Sequence, residues 1–356
     1  MNGRLYNPVV RITTSAPTRI DLAGGTLDIW PLYLFHPGAQ TVNIAIRCYA
    51  SCVIETRADR RLVFLSQDQQ IRETYESLTD LSLKTSQLPL VRELVLFFEP
   101  RRGVTIRTSS QVPAGAGLGG SSALNIALCG ALARVTGKHY TRTQILEIAK
   151  NVEAIVIKVP TGWQDYFPAL YGGANAVHLE RDGVKRERLP LRFSDVDRRF
   201  VLCYTGQPRN SAINNWEVMK AHIDADPKVR HNFDQIVTIA SQMREALLAG
   251  DWNDVAKLLA LEWENRKRNF KGISTPKIDR MIDQTAKDGT LAAKVCGAGG
   301  GGCVVFLVAP GTKPAVERTL VRLGGQIINF AVSRAGLEVR STQAELGVEN
   351  RKEEHR

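Results

Sequence analysis

The stretch Pro113-Ala-Gly-Ala-Gly-Leu-Gly-Gly-Ser-Ser-Ala123 constrains this chain more than any other feature. It follows an alternating segment, Gly103–Thr108, with Val104 and Ile106 on one face, and precedes a mostly apolar run from Ser121 to about Val135. A strand, a glycine-rich loop and a buried helix are expected in that order. Glycines let a backbone curl until successive N–H groups point inward, and the positive end of the helix adds to them. Such a curl is an anion site suited to a polyphosphate. Ser121 and Ser122 fall in the first helical turn, where a hydroxyl can cap the helix, touch phosphate or ligate magnesium.

The loop also matches G-x-G-x-x-G at Gly115, Gly117 and Gly120, and so does a second run at Gly297, Gly299 and Gly302. That pattern alone says little. A dinucleotide site needs an acid at the end of a second strand about 20 residues on. Here Ala131–Gln144 ends one helix and begins another. No G-K-[S/T] follows either glycine run, so a Walker A loop is excluded as well.

The length, 356 residues, suits two domains. We expect a boundary near 195/196, dividing 1–195 from 196–356, because Arg, Lys and Asp crowd Arg181–Arg199 before the apolar strand Phe200–Thr205. The net charge of +11 favours an anionic ligand. The basic residues are scattered, with short clusters at Arg101-Arg102 and Arg266–Arg268. A phosphate-bearing small molecule fits better than nucleic acid. No apolar run approaches the ~18 residues of a membrane helix, and Met1–Pro8 has no apolar signal core. Six cysteines without zinc spacing read as reduced thiols of a cytoplasmic protein.

Strands are expected at Val9–Thr14, Gln40–Ala50, Cys52–Arg57 and Arg61–Leu65, and helices at Ile71–Leu81, Leu88–Phe98 and Thr141–Ile157. The second half reads as helices near Ala212–Asp224, Val229–Leu248 and Trp252–Arg268, with a final strand at Gln326–Val332 and a charged tail from Glu349.

Three further segments carry chemical groups. Glu153 lies at the edge of its helix's apolar face, between Ala149 and Val156. Gly162-Trp-Gln164-Asp165 joins that helix to a Gly172-Gly173 pair, and Arg19-Ile-Asp21-Leu-Ala-Gly24-Gly25-Thr-Leu-Asp28 runs from a strand into a glycine turn. Each alone also fits a capped turn, a peripheral ion pair or a hairpin. Thr205-Gly-Gln-Pro-Arg209-Asn-Ser211 reads equally as a helix N-terminus or as a guanidinium placed for a phosphate.

Taken in order, these segments resemble the GHMP kinases, the galactokinase, homoserine kinase, mevalonate kinase and phosphomevalonate kinase superfamily. The resemblance spans roughly residues 9–335. An extra glycine before the serines, the Arg-Ile-x-x-Ala-Gly-Gly opening and the Gly-x-Gln-Asp string look most like its heptose kinase branch, which phosphorylates a D-glycero-D-manno-heptose phosphate. The resemblance implies an α+β fold in two lobes, the N-terminal one shared with a ribosomal protein and the C-terminal one ferredoxin-like. It implies an ATP-dependent kinase with magnesium on Ser122 and Glu153. The loop Pro113, Gly115, Gly117, Leu118, Gly119, Gly120, Ser121 and Ser122 would hold the phosphates. Asp165 would act on the acceptor hydroxyl, with Arg19 balancing charge. Asp28, Gly24, Gly25, Gln164, Gly172, Arg209 and Gly299 fall on the acceptor side. Lys294, before the second glycine run, is given no firm role; an exposed residue at a strand start suits it equally.

Leu27 stands where the heptose branch has threonine, Trp163 where it has a small or basic residue, and Pro168 interrupts its alanine run. The particular sugar is therefore left open, and so is a homodimer. Other readings are a sugar- and ATP-sensing protein without turnover and a kinase for a mevalonate-type alcohol. The acids argue against a sensor, which needs no carboxylate at the acceptor.

Overall fold

The computed structural model describes residues 9–208, 211–269 and 271–344. In chain order the first part comprises β1 (Val9–Ala23), β2 (Gln40–Thr56), β3 (Leu62–Ser66), β4 (Ile71–Tyr75), α1 (Leu78–Leu83), α2 (Pro89–Phe98), β5 (Val104–Ser110), α3 (Gly120–Thr136), α4 (Arg142–Ile157), α5 (Tyr166–Tyr171), β6 (Ala174–Glu180), β7 (Gly183–Leu189) and α6 (Phe193–Arg199). Then follow β8 (Phe200–Tyr204), α7 (Ser211–Ile223), α8 (Pro227–Ala249), α9 (Trp252–Asn269), α10 (Pro276–Ala286), β9 (Thr290–Val295), β10 (Cys303–Val308), α11 (Lys313–Arg322), β11 (Gln326–Ile327) and β12 (Glu338–Ala344).

Two sheets organise these elements. The larger has eight strands in the order β12-β1-β2-β5-β3-β4, with β6 and β7 branching from β2. The long β2 pairs with β5 through Ala50–Thr56 and with β6 through Gln40–Ile44. Helix α3 packs across β1 and β2. Its Ile126, Leu128 and Leu132 are buried in one core with Ile12, Ile54 and Ile106 of the sheet. The smaller sheet is antiparallel throughout, in the order β11-β8-β10-β9. This is a split βαβ arrangement, the ferredoxin-like pattern.

Local chemistry sets the helix ends. Thr141 and Gln144 form a reciprocal capping box at the start of α4. The Asp226 carboxylate caps α8, and Gly137 in the left-handed region ends α3.

Three expectations need correction. Ile71–Tyr75 is a strand paired with β3, not the start of a helix. Its period-two pattern of Ile71, Glu73 and Tyr75 prevails, and the helix begins only after the Ser77 cap. Gln40–Thr56 is one strand rather than two. The late segment forms only the short β11, and the chain then continues into β12, which pairs with β1 from Val9↔Ala344 to Ser15↔Glu338. The path enters the second sheet at Phe200, close to 195/196, but β12 returns to the first sheet. The two lobes are not two simple halves of the chain.

Candidate active site

The loop between β5 and α3 forms one wall of a cavity of about 440 Å³. Every residue from Pro113 to Ser122 lines it, as do Arg19, Asp28, Glu153, Gln164 and Asp165. Residues far apart in sequence thus meet where the glycine loop delivers the α3 N-terminus. Gly119 caps that helix with φ of 71°, in the left-handed region. A Cβ there would lie 3.2 Å from Asp165 Cγ, so a side chain would strain the backbone and press on the acid together.

Arg19 holds Asp165. Its Nε donates to Asp165 Oδ1 at 2.7 Å and Nη2 pairs with the same oxygen at 2.6 Å, while Nη1 donates to the Gly117 carbonyl at 2.6 Å. The other carboxylate oxygen, Oδ2, faces Gly119, 3.3 Å from where its Cβ would be. Asp165 is only partly covered, its side chain 21% exposed, whereas Arg19 is 1% exposed. The acid therefore meets the cavity on a rigid support.

Asp28 sits deeper, 2% exposed, and accepts the Gln164 N–H at 2.8 Å. Gly162 makes this approach feasible: a Cβ there would overlap Asp28 Oδ2. Burial pushes the Asp28 carboxyl up to about 6; the Gln164 N–H opposes this and the charge of Asp165 adds to it. Beside Gly119, Ser122 Oγ donates to Glu153 Oε2 at 3.1 Å, and the Tyr166 hydroxyl donates to the same oxygen at 2.6 Å. Burial raises the Glu153 carboxyl, with the Tyr166 hydroxyl and the serines pulling against it.

The structure does not bring every expected residue to the cavity. Gly25 packs under the Arg266 guanidinium and the Gln164 amide rather than lining the wall. Gly24 is pressed on Gln40, Gly172 on Ala335, and Gly299 on Ile273, each by close backbone approach. Gly297 and Ala298, not Gly299, reach the wall from the second glycine run. Arg209 lies outside the described residues.

Sequence reasoning missed Arg266, which lines the cavity from α9 and donates to Gly297 O at 2.7 Å and Thr26 Oγ1 at 3.3 Å. It also left Asp21 without a role and Lys294 as a candidate surface residue. Both are fully buried and paired at 2.6 Å. The available signal was a charged residue between apolar neighbours, Asp21 between Ile20 and Leu22 and Lys294 between Ala293 and Val295. The partners, hundreds of positions apart, were not readable.

Family models agree with this geometry. The model for the GHMP kinases N terminal domain matches residues 89–173, and that for GHMP kinases C terminal matches residues 243–324. The chain belongs to the GHMP kinases. It is 28% identical over 340 residues to the D-glycero-alpha-D-manno-heptose 7-phosphate kinase of Campylobacter jejuni, covering 92% of this chain and 98% of that relative. It is 25% identical over 361 residues to the mevalonate kinase of Thermococcus sibiricus, covering 93% and 98%. Among solved structures, a D-glycero-D-manno-heptose 1-phosphate kinase from Bacteroides thetaiotaomicron superposes with a TM-score of 0.74 at 24% identity, covering 94% of this chain and all of that one. Lactococcus lactis galactokinase complexed with galactose superposes with a TM-score of 0.76 at 18% identity, covering 94% and 95%, a likeness of fold.

Proposed function

We propose that this protein transfers the γ-phosphoryl group of ATP to a hydroxyl of a sugar or sugar phosphate, with a heptose 7-phosphate the first acceptor to try. One observation carries the reading: Asp165 has one oxygen fixed by Arg19 and the other turned toward the glycine loop, in the cavity that also holds Asp28. A phosphate cradle and an acid aimed at its mouth are what in-line transfer to an alcohol needs.

Each residue has a part. Backbone N–H groups of the loop and the start of α3 hold the β- and γ-phosphates. Leu90, Val156, Ile157, Val159 and Pro160 give the cavity an apolar part suited to the base. Asp165 orients the acceptor hydroxyl and takes its proton, a contribution of roughly 10²–10⁴ in rate. Arg19 keeps that carboxylate in place and offsets charge near the transferred group. Asp28 and the Gln164 side chain hold sugar hydroxyls.

The donor set suits magnesium. Ser122 and Glu153 offer adjacent oxygens on the cavity wall, and Glu153 is a buried carboxylate with no cation beside it among its bonded partners. A bound Mg²⁺ there neutralises phosphate charge. The family kinship, the absence of any described helix long and apolar enough to cross a membrane, and six buried cysteines without a disulfide support a cytoplasmic kinase.

The test is ADP release with ATP, magnesium and a panel of heptose 7-phosphate, unphosphorylated heptose, galactose and mevalonate. We expect release to depend on a sugar acceptor. Asp165→Asn should lower kcat by about 10²–10⁴, and Glu153→Gln should raise the magnesium concentration needed for half-maximal rate. Release that ignores every sugar, or an Asp165→Asn variant with full turnover, overturns the reading.

A further inference from the structure

We propose that Asp21 and Lys294 are positioning residues for the transfer: they fix Arg19, and through it Asp165, against the glycine loops of both lobes. The proposal rests on the reading of Asp165 as the acid that faces the acceptor.

The argument begins with strand geometry. Arg19 and Asp21 are two apart on β1 and so share a face, while Ile20 and Leu22 enter the apolar core on the other. Lys294 does the same on β9, between Ala293 and Val295, which face a different core. Asp21 and Lys294 have no exposed surface at all, and neither lines the cavity. Any effect they have on the reaction must pass through other residues.

Their contacts form a chain of alternating charge. Lys294 Nζ donates to Asp21 Oδ2 at 2.6 Å and to the Asp21 carbonyl at 3.2 Å. Arg19 Nη1 reaches Asp21 Oδ1 at 3.4 Å, and the opposite edge of Arg19 holds Asp165. The Gly297 N–H donates to Asp21 Oδ1 at 2.9 Å, so the same carboxylate anchors the second glycine loop. Arg266 approaches Oδ2 at 3.5 Å, and Glu262 stands 3.8 Å from Lys294. One N-lobe carboxylate thereby gathers a strand, a helix and a loop of the C-lobe.

The cluster bears on the reaction as well as on folding because Arg19 is shared. With Asp21 ionised, the guanidinium is pulled from both sides and held on the Gly117 carbonyl at 2.6 Å. Burial alone would raise the Asp21 carboxyl; Lys294, Arg19 and Arg266 outweigh it and hold it well below the ordinary carboxylate range. Remove the Asp21 charge, and Asp165 is the remaining acid on Arg19. The pair can then move together, away from the line of transfer.

The experiment compares Asp21→Asn, Lys294→Met and the double variant with Asp165→Asn, using the sugar that the wild type turns over fastest. Each single change unbalances the buried charge cluster and should lower the unfolding midpoint. The double change removes both charges and should return the midpoint toward wild type. Its kcat should nevertheless stay down about 10–100-fold, as expected for misplaced reacting groups, with KM for ATP within about twofold of wild type. A double variant with wild-type kcat overturns the proposal and leaves the pair a structural one. Full turnover in Asp165→Asn, or no sugar-dependent release by the wild type, overturns instead the reading on which it rests.

Discussion

The two glycine runs match the same pattern and do different work. The first leads into α3, and its residues from Pro113 through Gly120 line the cavity with the adjoining serines. The second joins two antiparallel strands, β9 and β10, and much of its backbone is spent on pins. The Gly297 N–H goes to Asp21, the Gly300 N–H to Ile273 O at 2.8 Å, and the Gly302 N–H to Gln207 O at 2.8 Å. The two runs also touch, since the Cys303 N–H donates to Ala116 O at 2.7 Å. A glycine string that a helix N-terminus follows and open space faces has the geometry of the phosphate cradle proposed above. Without those it is a device for close packing.

Substitutions in the two runs should separate these roles, and the largest effect belongs to the first. Gly119→Ala puts a Cβ at positive φ and against Asp165. We expect turnover to fall by about 100-fold or more, from left-handed strain of about 1–2 kcal/mol and the shift of the acid. Steady-state kinetics on a variant with a normal circular dichroism spectrum checks this. In the second run, Gly302→Ala sets a Cβ 2.7 Å from the Ala116 carbonyl at φ of 77°. Its cost should appear in denaturant unfolding, about 2–4 kcal/mol from strain plus overpacking. Loss of activity without loss of stability in that variant would erase the distinction.

The smallest effect concerns Asp28, which differs from Asp21 much as the loops differ. Asp21 is held ionised by three cations; Asp28 faces the cavity with its carboxyl raised to about 6 by burial. A raised carboxyl means that the native state binds the proton more tightly than the unfolded chain. Its share of the stability is therefore present at low pH and lost as pH rises through about 6. Asp28→Asn should be more stable than wild type at pH 8 by about 1–3 kcal/mol, converting the shift at 1.36 kcal/mol per unit. The gain should vanish near pH 4, and KM for the acceptor should rise. Unfolding curves at the two pH values decide it.

Much of the first wall is legible in the sequence alone. The loop and the length of α3 follow from local composition, whereas Glu153 and Asp165 stand out only through the resemblance, since each alone also fits an ion pair or a capped turn. The charge cluster was not legible. Arg266 meets Asp21 across 245 positions, and Lys294 meets it across 273. Nothing local marks such partners beyond a charged residue between apolar neighbours. β12 was missed for a related reason: Glu338–Ala344 is polar and reads as a tail until β1 supplies its pairing. Gly24, Gly172 and Gly299, which the motifs put on the acceptor side, pack closely on neighbouring backbone and do not line the cavity.

The returning strand has a consequence for how the molecule is made. β1 emerges first and its partner β12 among the last described residues, so the edge of β1 from Val9 to Ser15 stays bare while the whole second lobe is synthesised. A bare edge invites pairing with other chains. The N-lobe sheet gains its β12 edge only after the C-lobe elements have been made, so its completion depends on chain that lies beyond the second sheet.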